Sequence, residues 1–228
     1  MKKLVVLSGA GMSAESGIPT FRDMGGLWEK YDVTEVASPQ AWHSNPELVL
    51  RFYNERRKKL LESKPNRGHE ILAELEKDFK VEIVTQNVDD LHERAGSTNV
   101  LHLHGELRKV RSTKNPNLVH QLDGWELKMG DLCQEGSQLR PHIVWFGESV
   151  PLLSVADEIV SSADILVVVG TSLNVYPAAG LINSVQHNTP IYVIDPGQPN
   201  VSASDRITII KKGASEGLEE LKSYLEAI

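Results

Sequence analysis

Short runs that are apolar at nearly every position alternate along this chain with longer stretches whose apolar residues recur every three or four positions. Six runs read as strands: KLVVLS (3–8), VEIVTQ (81–86), NVLHLH (99–104), DILVVVG (164–170), PIYVID (190–195) and RITIIK (206–211). A strand with one wet face alternates apolar and polar residues, whereas a near-continuous apolar run marks a strand covered on both faces, as in a parallel α/β sheet. Helices are predicted over Ser13–Gly17, Pro46–Ser63, Arg67–Asp78, Asp89–Ala95, Ser154–Ala163, Ala178–His187 and Ala214–Ala227. This alternation predicts a doubly wound, Rossmann-like parallel sheet, with ligands at the carboxyl ends of its strands.

Two regions break the alternation. Thr20–Asn66 holds helical patterns without a convincing core strand, and Leu107–Arg140 is polar and reads as irregular. They are expected to form a smaller inserted domain from two insertions. The Rossmann-like domain would then comprise 1–19, 67–106 and 141–228, and the small domain 20–66 and 107–140.

The helix predicted from Pro46 opens on Asn45-Pro46-Glu47, a start signal with proline at the first helical position. At about 100° per residue, Val49, Phe52, Tyr53 and Leu60 share one apolar stripe, and Arg56 falls in its middle. The spacing leaves two readings of Arg56 open, a structural ion-pair partner or a receptor for an anion carried by a ligand. Arg57, Lys58 and Lys59 fall off the stripe and read as a solvated face.

Composition narrows the classes. The 228 residues are 40% hydrophobic and 24% charged, an ordinary globular balance, and the net charge of -7 argues against nucleic acid as the main partner. No apolar run approaches the roughly 20 residues needed to cross a bilayer. The basic start MKK passes through a short apolar run directly into glycines, which reads as a first strand and not a signal peptide. A single cysteine, Cys133, excludes an internal disulfide and fits a reducing cytoplasm.

The strand ends carry the candidate chemistry. The first runs into GAGMSA, where Gly9, Gly11 and Ala14 satisfy a permissive dinucleotide-loop pattern that lets backbone approach a pyrophosphate. The acidic residue that a dehydrogenase carries about 20 residues later is missing. In its place comes ESGIPTFRDMGGLW, too rich in Gly and Pro for a crossover helix. Gln86, Asn87 and Asp89 follow the second run, and His102 and His104, two apart, are expected on one face of the third. Gly170, Thr171 and Ser172 close the fourth run, and Asp195 closes the fifth. Polar clusters at successive strand ends converge on one crevice, where a functional site is expected.

Taken in order, GAGMSAESGIPTFR, TQNVDDLHERAG, HLHGE, RPHIVWFGE and GTSLNVYPAAG resemble the motif set of the sirtuins, NAD-dependent protein-lysine deacylases, across essentially the whole chain. The resemblance implies that NAD is consumed: the acyl-lysine oxygen attacks C1′ of the nicotinamide ribose, giving free lysine, nicotinamide and O-acyl-ADP-ribose. It implies a general base at His104, a nicotinamide and ribose grip at Asn87 and Asp89, and a ribose contact at Gln86. Phe21 and Arg22 match a loop over the cofactor. Gly9, Ala10, Gly11, Glu15, Gly170, Thr171, Ser172 and Asp195 are expected along the cofactor path. Val144, Trp145, Phe146, Gly147 and Glu148 match the segment that pairs with an acylated-lysine peptide as an added strand. His102 matches no catalytic position and is expected to be structural.

Two departures qualify the match. Sirtuins usually carry two Cys-x-x-Cys pairs for a structural zinc. Here the first pair is replaced by Ser112, Thr113 and Lys114, and Cys133 with His120 would supply at most two donors, so no zinc is expected. Packing of Trp125, Leu127 and Leu132 would then hold the small domain. Thr20, where many members have aspartate, points to the branch similar to bacterial and mitochondrial class III enzymes. There a tyrosine and an arginine three residues later, matched by Tyr53 and Arg56 with Ala37 beside them, recognise acidic acyl groups. A cytoplasmic desuccinylase or demalonylase with some deacetylase activity is expected, with a plain deacetylase or an ADP-ribosyltransferase as alternatives.

Overall fold

A computed structural model of the chain describes residues 1–20, 31–197, 199–201 and 204–226. In chain order its strands are β1 (Lys3–Ser8), β2 (Lys80–Thr85), β3 (Val100–His102), β4 (Gly105–Ser112), β5 (Val119–Gln121), β6 (Leu139–Ile143), β7 (Ile165–Val169), β8 (Ile191–Ile194) and β9 (Ile207–Ile210). Six form a parallel sheet in the order β3-β2-β1-β7-β8-β9, the doubly wound architecture expected.

The pleat explains why these strands read as unbroken apolar runs. Leu4, Val6, Ile83, Val167 and Val169 point to one side, where α4 (Arg67–Leu75) and α7 (Ala214–Leu225) supply Ile71, Leu72, Leu218 and Leu221. Val5, Leu7, Val84, Leu166 and Val168 point to the other, against α6 (Leu153–Ser161) and the 3-10 segment Ala178–Asn183. Both faces are dry, so neither needs polar residues.

β1 is the topological centre, with Val6 opposite Ile83 of β2 on one side and Val167 of β7 on the other. Strand order reverses here, and a crevice opens beyond the carboxyl ends of β1 and β7, as in other doubly wound sheets. The loops leaving the two strands interlock: Gly9 N–H donates to Val169 O at 3.0 Å and Gly11 N–H to Gly170 O at 2.8 Å. A Cβ on Gly9 would lie 2.7 Å from the Thr171 side chain, and one on Gly11 2.8 Å from Gly170 Cα. The glycines are therefore required first by the approach of two loops to each other.

The interval 107–140, expected to be irregular, instead contributes most of a three-stranded antiparallel sheet in the order β5-β4-β6. Leu107, Val110 and Ser112 of β4 are buried while Arg108, Lys109 and Arg111 are half-exposed. One-sided cover lets charged residues sit on a strand, and that made the run look like a loop. Its packing also departs from expectation: Leu127 is buried, but Trp125 is 38% and Leu132 56% exposed.

Beside this sheet lie α1 (Val33–Val36), α2 (Pro39–Ser44) and α3 (Pro46–Glu62), whose first turns are capped by the side chains of Asp32, Ser38 and Asn45. Val49, Phe52, Tyr53 and Leu60 of α3 enter a core with Leu107, Ile143 and Trp145, as the apolar stripe predicts. Arg57 overturns the solvated-face expectation, because it is 0% exposed. Its Nε donates to Leu107 O at 2.7 Å, and one terminal nitrogen donates to Trp125 O at 3.0 Å and to Asn54 Oδ1. The loop around Trp125 folds over this face of α3, so residues off the main stripe are covered too. Among the described residues no helix is long and apolar enough to cross a membrane.

Candidate active site

The carboxyl ends of β1, β2, β7 and β8 border one cavity of about 740 Å³, within the roughly 300–1,000 Å³ typical of small-molecule sites. Gly9, Ala10, Gly11, Glu15, Gln86, Asn87, Asp89, His104, Gly170, Thr171, Ser172 and Asp195 all line it. The same cavity continues past Ala37, Tyr53 and Arg56 to Val144, Trp145, Phe146, Gly147 and Glu148. Glu15 stands at the rim, where its carboxylate accepts the Ser215 N–H at 3.0 Å in the first turn of α7. Phe21 and Arg22 lie outside the described residues.

The two histidines do not share a strand face. β3 stops at His102, and His104 sits in the turn that follows. His102 is buried, with Nδ1 3.0 Å from Asn87 O and Nε2 2.7 Å from Glu93. Burial works against its charge, but Glu93 outweighs this and raises its pKa above 6.5. His102 is thus a structural ion-pair partner. His104 Nδ1 lies 3.1 Å from Gln86 O. A carbonyl only accepts, so this nitrogen carries the hydrogen and the Nε2 lone pair is left for the cavity. Burial, partly offset by the Gln86 hydrogen bond, lowers the His104 pKa below 6.5 and keeps the ring neutral at pH 7.

Asn87 and Asp89 are joined by a residue that sequence reasoning missed. Ser13 Oγ–H donates to Asp89 Oδ2 at 2.9 Å and accepts from Asn87 Nδ2 at 3.2 Å. Beneath it, His69 Nδ1 accepts the Asn66 N–H at 3.2 Å, which leaves the proton on Nε2, 3.5 Å from Ser13 Oγ. Burial, only partly countered by Glu15 and Glu93, depresses the His69 pKa to about 4, so this ring is neutral. Burial raises the Asp89 pKa, against hydrogen bonds from Leu91 N–H and Ser13. The signal for Ser13 was its place inside GAGMSA, a polar residue in an otherwise apolar turn.

On the α3 wall of the same cavity Arg56 is half-buried, its guanidinium 5.6 Å from the Phe52 ring centre and 5.8 Å from that of Tyr53. Burial lowers its pKa, while Tyr53 and Asp89 favour its charge. Lys59, one turn further on, also borders the cavity and is exposed, in keeping with its reading as part of a solvated face. Across from α3, Trp145 N–H donates to Glu148 Oε2 at 2.8 Å, and Arg140 grips Glu148 at 2.7 and 3.1 Å. Burial opposes the Glu148 charge, but Arg140 and the Trp145 amide outweigh it and hold the carboxyl below 4.5. Glu148 therefore braces its own segment, in which Gly147 at φ +90 completes a turn closed by Glu148 N–H on Trp145 O. The Val144 and Phe146 amides bond to His104 O and Ala37 O. The amides of Val144, Trp145, Phe146 and Glu148 are thus already bonded within the chain.

The interval in which the sirtuin resemblance implies zinc does not fit one. The Cys133 side chain hydrogen-bonds with the Ser112 hydroxyl, whose oxygen also accepts the Lys114 and Asn115 amides, and His120 lies on β5 opposite Val110. Among the described residues no group of three or more His, Cys, Asp or Glu is placed to hold a metal ion.

A Rossmann-like sheet with a small antiparallel sheet at its carboxyl edge, and polar strand ends meeting in one cavity, defines a nucleotide-site architecture. The Sir2 family profile matches residues 9–177. The NAD-dependent protein deacylase of Bacteroides thetaiotaomicron is 59% identical, across 99% of this chain and 98% of that protein. That of Helicobacter pylori strain J99 is 56% identical, across 99% and 96%. Among solved structures, a mutant Sir2 homologue in complex with ADP-ribose superposes with a TM-score of 0.89 at 44% identity, covering 99% of this chain and 92% of that one. A Sir2 homologue in complex with NAD gives 0.88 at 44% identity, covering 99% and 90%. This chain belongs to the Sir2 family.

Proposed function

We propose that the protein is an NAD-dependent protein-lysine deacylase that prefers acidic acyl groups, succinyl or malonyl, to acetyl, and releases nicotinamide and O-acyl-ADP-ribose. The observation that carries this reading is one cavity lined both by the His104 cluster and by the Tyr53–Arg56 pair. The name of its relatives supports the NAD-dependent deacylase part. The donor set fits NAD: an amide and a carboxylate at Asn87 and Asp89, hydroxyls at Thr171 and Ser172, and a carboxylate at Asp195, all on the cavity wall.

When bound, NAD supplies an electrophilic ribose carbon from which nicotinamide departs. Asn87 and Asp89, locked together through Ser13, orient the carboxamide and ribose. His104 Nε2, deprotonated at pH 7, takes a proton from a ribose hydroxyl. The Val144–Glu148 segment receives the peptide, and the acyl chain runs toward α3. There the Arg56 guanidinium takes a carboxylate bidentately while the Tyr53 hydroxyl donates a further hydrogen bond. An acetyl group offers the guanidinium no carboxylate. The small sheet holds its shape through the hydrogen bonds around Ser112 and Cys133, without zinc.

The test is a paired assay with NAD and one peptide bearing either succinyl-lysine or acetyl-lysine, following deacylated peptide and nicotinamide. Faster turnover of the succinyl peptide is expected. Acetyl preference would keep the enzyme class and overturn the acidic pocket. NAD cleavage without deacylation of either peptide would point to ADP-ribosyl transfer.

A further inference from the structure

Trp145 is 2% exposed and contributes almost no surface to a ligand, yet its indole makes one directed polar contact. Nε1–H donates to the Tyr53 hydroxyl oxygen at 3.0 Å, and Tyr53 is itself 1% exposed. An indole N–H only donates, whereas a phenol has one hydrogen and lone pairs to accept with. A Tyr53 oxygen that accepts from Trp145 must aim its single hydrogen elsewhere.

We propose that Trp145 is a positioning residue for acyl selectivity. It turns Tyr53 into an obligate donor toward the part of the cavity lined by Arg56, so that the site favours an acyl group ending in a carboxylate. This rests on the acidic-acyl reading above and adds a residue that acts through Tyr53.

The indole is held so that it cannot easily swing away. The Arg140 guanidinium lies 3.3 Å from the Trp145 ring centre and grips Glu148 through two nitrogens. Glu148 Oε2 in turn accepts the Trp145 backbone N–H at 2.8 Å, and Arg111 adds a contact to the same carboxylate at 3.4 Å. Both the plane and the backbone of Trp145 are thereby clamped by one ion-paired cluster. Accepting a hydrogen bond also polarises the phenol and strengthens the bond it gives, because chained hydrogen bonds reinforce one another. A carboxylate can receive that bond. The methyl end of an acetyl group cannot, and it leaves a polarised donor unmet in an apolar channel.

Trp145→Phe keeps a ring for Arg140 to stack on and deletes the N–H. The succinyl-to-acetyl ratio of kcat/KM is expected to fall about fivefold, the worth of one neutral hydrogen bond, mainly through a higher KM for the succinyl peptide. In a Tyr53→Phe background, with no hydroxyl left to orient, the same substitution should add no further fall. An unchanged ratio in Trp145→Phe, or an equal fall in both backgrounds, would overturn the proposal. Failure of the acidic-acyl reading has a different signature: no succinyl preference in the wild type and no effect of Tyr53→Phe on the ratio. Should Trp145→Phe not fold, the wild-type protein provides the measurement. Of its 4 tryptophan indole N–H signals in an 15N NMR spectrum, the one displaced by Tyr53→Phe should move downfield with the succinyl peptide and far less with the acetyl peptide. Equal movement with both would refute the idea.

Discussion

Replacing Arg56 with Met separates substrate recognition from structure. Methionine keeps an unbranched stem along the Phe52 and Tyr53 rings, which lie 5.6 and 5.8 Å from the guanidinium, and removes the charge. Stranding one member of a buried charge pair costs about 3–5 kcal/mol, and a hydrogen bond to a charged group contributes about 1.5–3 kcal/mol. Arg56 is only half-buried, so the lower bound applies, about 3 kcal/mol or roughly 150-fold in kcat/KM for the succinyl peptide. The acetyl peptide loses only packing and should change by less than about threefold, the range of an ordinary small effect. Initial rates at saturating NAD, with deacylated peptide separated by chromatography, measure both. Arg56→Lys, which keeps the charge but not the planar fork, should fall between. Asp89 also favours the Arg56 charge. Were balancing Asp89 the main role of Arg56, both peptides would lose equally and the KM for NAD would rise, and the recognition argument would fail.

His104→Ala should lower kcat by at least about 100-fold, the contribution of a general base, while calorimetry still detects NAD binding. In the wild type the base must be unprotonated. Because burial lowers the His104 pKa, the acidic limb of the kcat/KM profile should lie below pH 6.5, and a limb above 6.5 would exclude His104 as its source. Arg57→Met should destabilise the fold by about 3 kcal/mol, since the Leu107 and Trp125 carbonyls lose their donor. That is a Tm lower by about 10 °C in a chain of this size, whereas a solvated residue would shift stability by less than about 0.5 kcal/mol. His69 makes stability depend on pH. Its folded pKa of about 4 lies below its ordinary 6.5, so between these values the unfolded chain binds a proton that the folded chain refuses. Stability should therefore fall as the pH drops from 6.5, by about 2 kcal/mol at pH 5 relative to pH 8. Urea unfolding reads this, and His69→Gln should reduce the loss by about that amount without abolishing it, because burial also holds His92 well below 6.5.

The parts of the molecule that were legible in the sequence are those set by short-range patterns. Leu4–Leu7 and Ile165–Val169 are covered on both faces, and dry strands announce themselves as unbroken apolar runs. The polar residues that end those runs had to lie along one crevice, because a parallel sheet places all its carboxyl ends together. What escaped depends on partners far away in the chain. β4 carries Arg108, Lys109 and Arg111 because only one of its faces is dry, and GELRKVRS has no turn or repeat to mark it as a strand. His102 and His104 obeyed simple alternation on paper, but the strand ends between them and gives the two rings unrelated surroundings. Arg57 is covered by a loop some 68 residues further along, a contact that no helical wheel contains.

Arg56 and Arg57 show how adjacent, identical side chains acquire opposite tasks. About 100° of helical rotation separates them, enough to put one on the cavity and the other under the Trp125 loop. Arg57 cannot leave without stranding two carbonyls, and Asn54 fastens the same loop by donating to Leu127 O at 3.0 Å and accepting its N–H at 3.0 Å. These bonds set the rotation of α3 about its axis, and that rotation determines where Tyr53 and Arg56 point. The loop comes from the same interval that lacks the zinc cysteines. A hydrogen-bonded clasp onto α3 thus links the order of that interval directly to the part of the cavity lined by Tyr53 and Arg56. Asn54→Ala, which strips the clasp without touching the cavity wall, should therefore shift acyl selectivity as well as stability. A loss of stability with an unchanged succinyl-to-acetyl ratio would break that link.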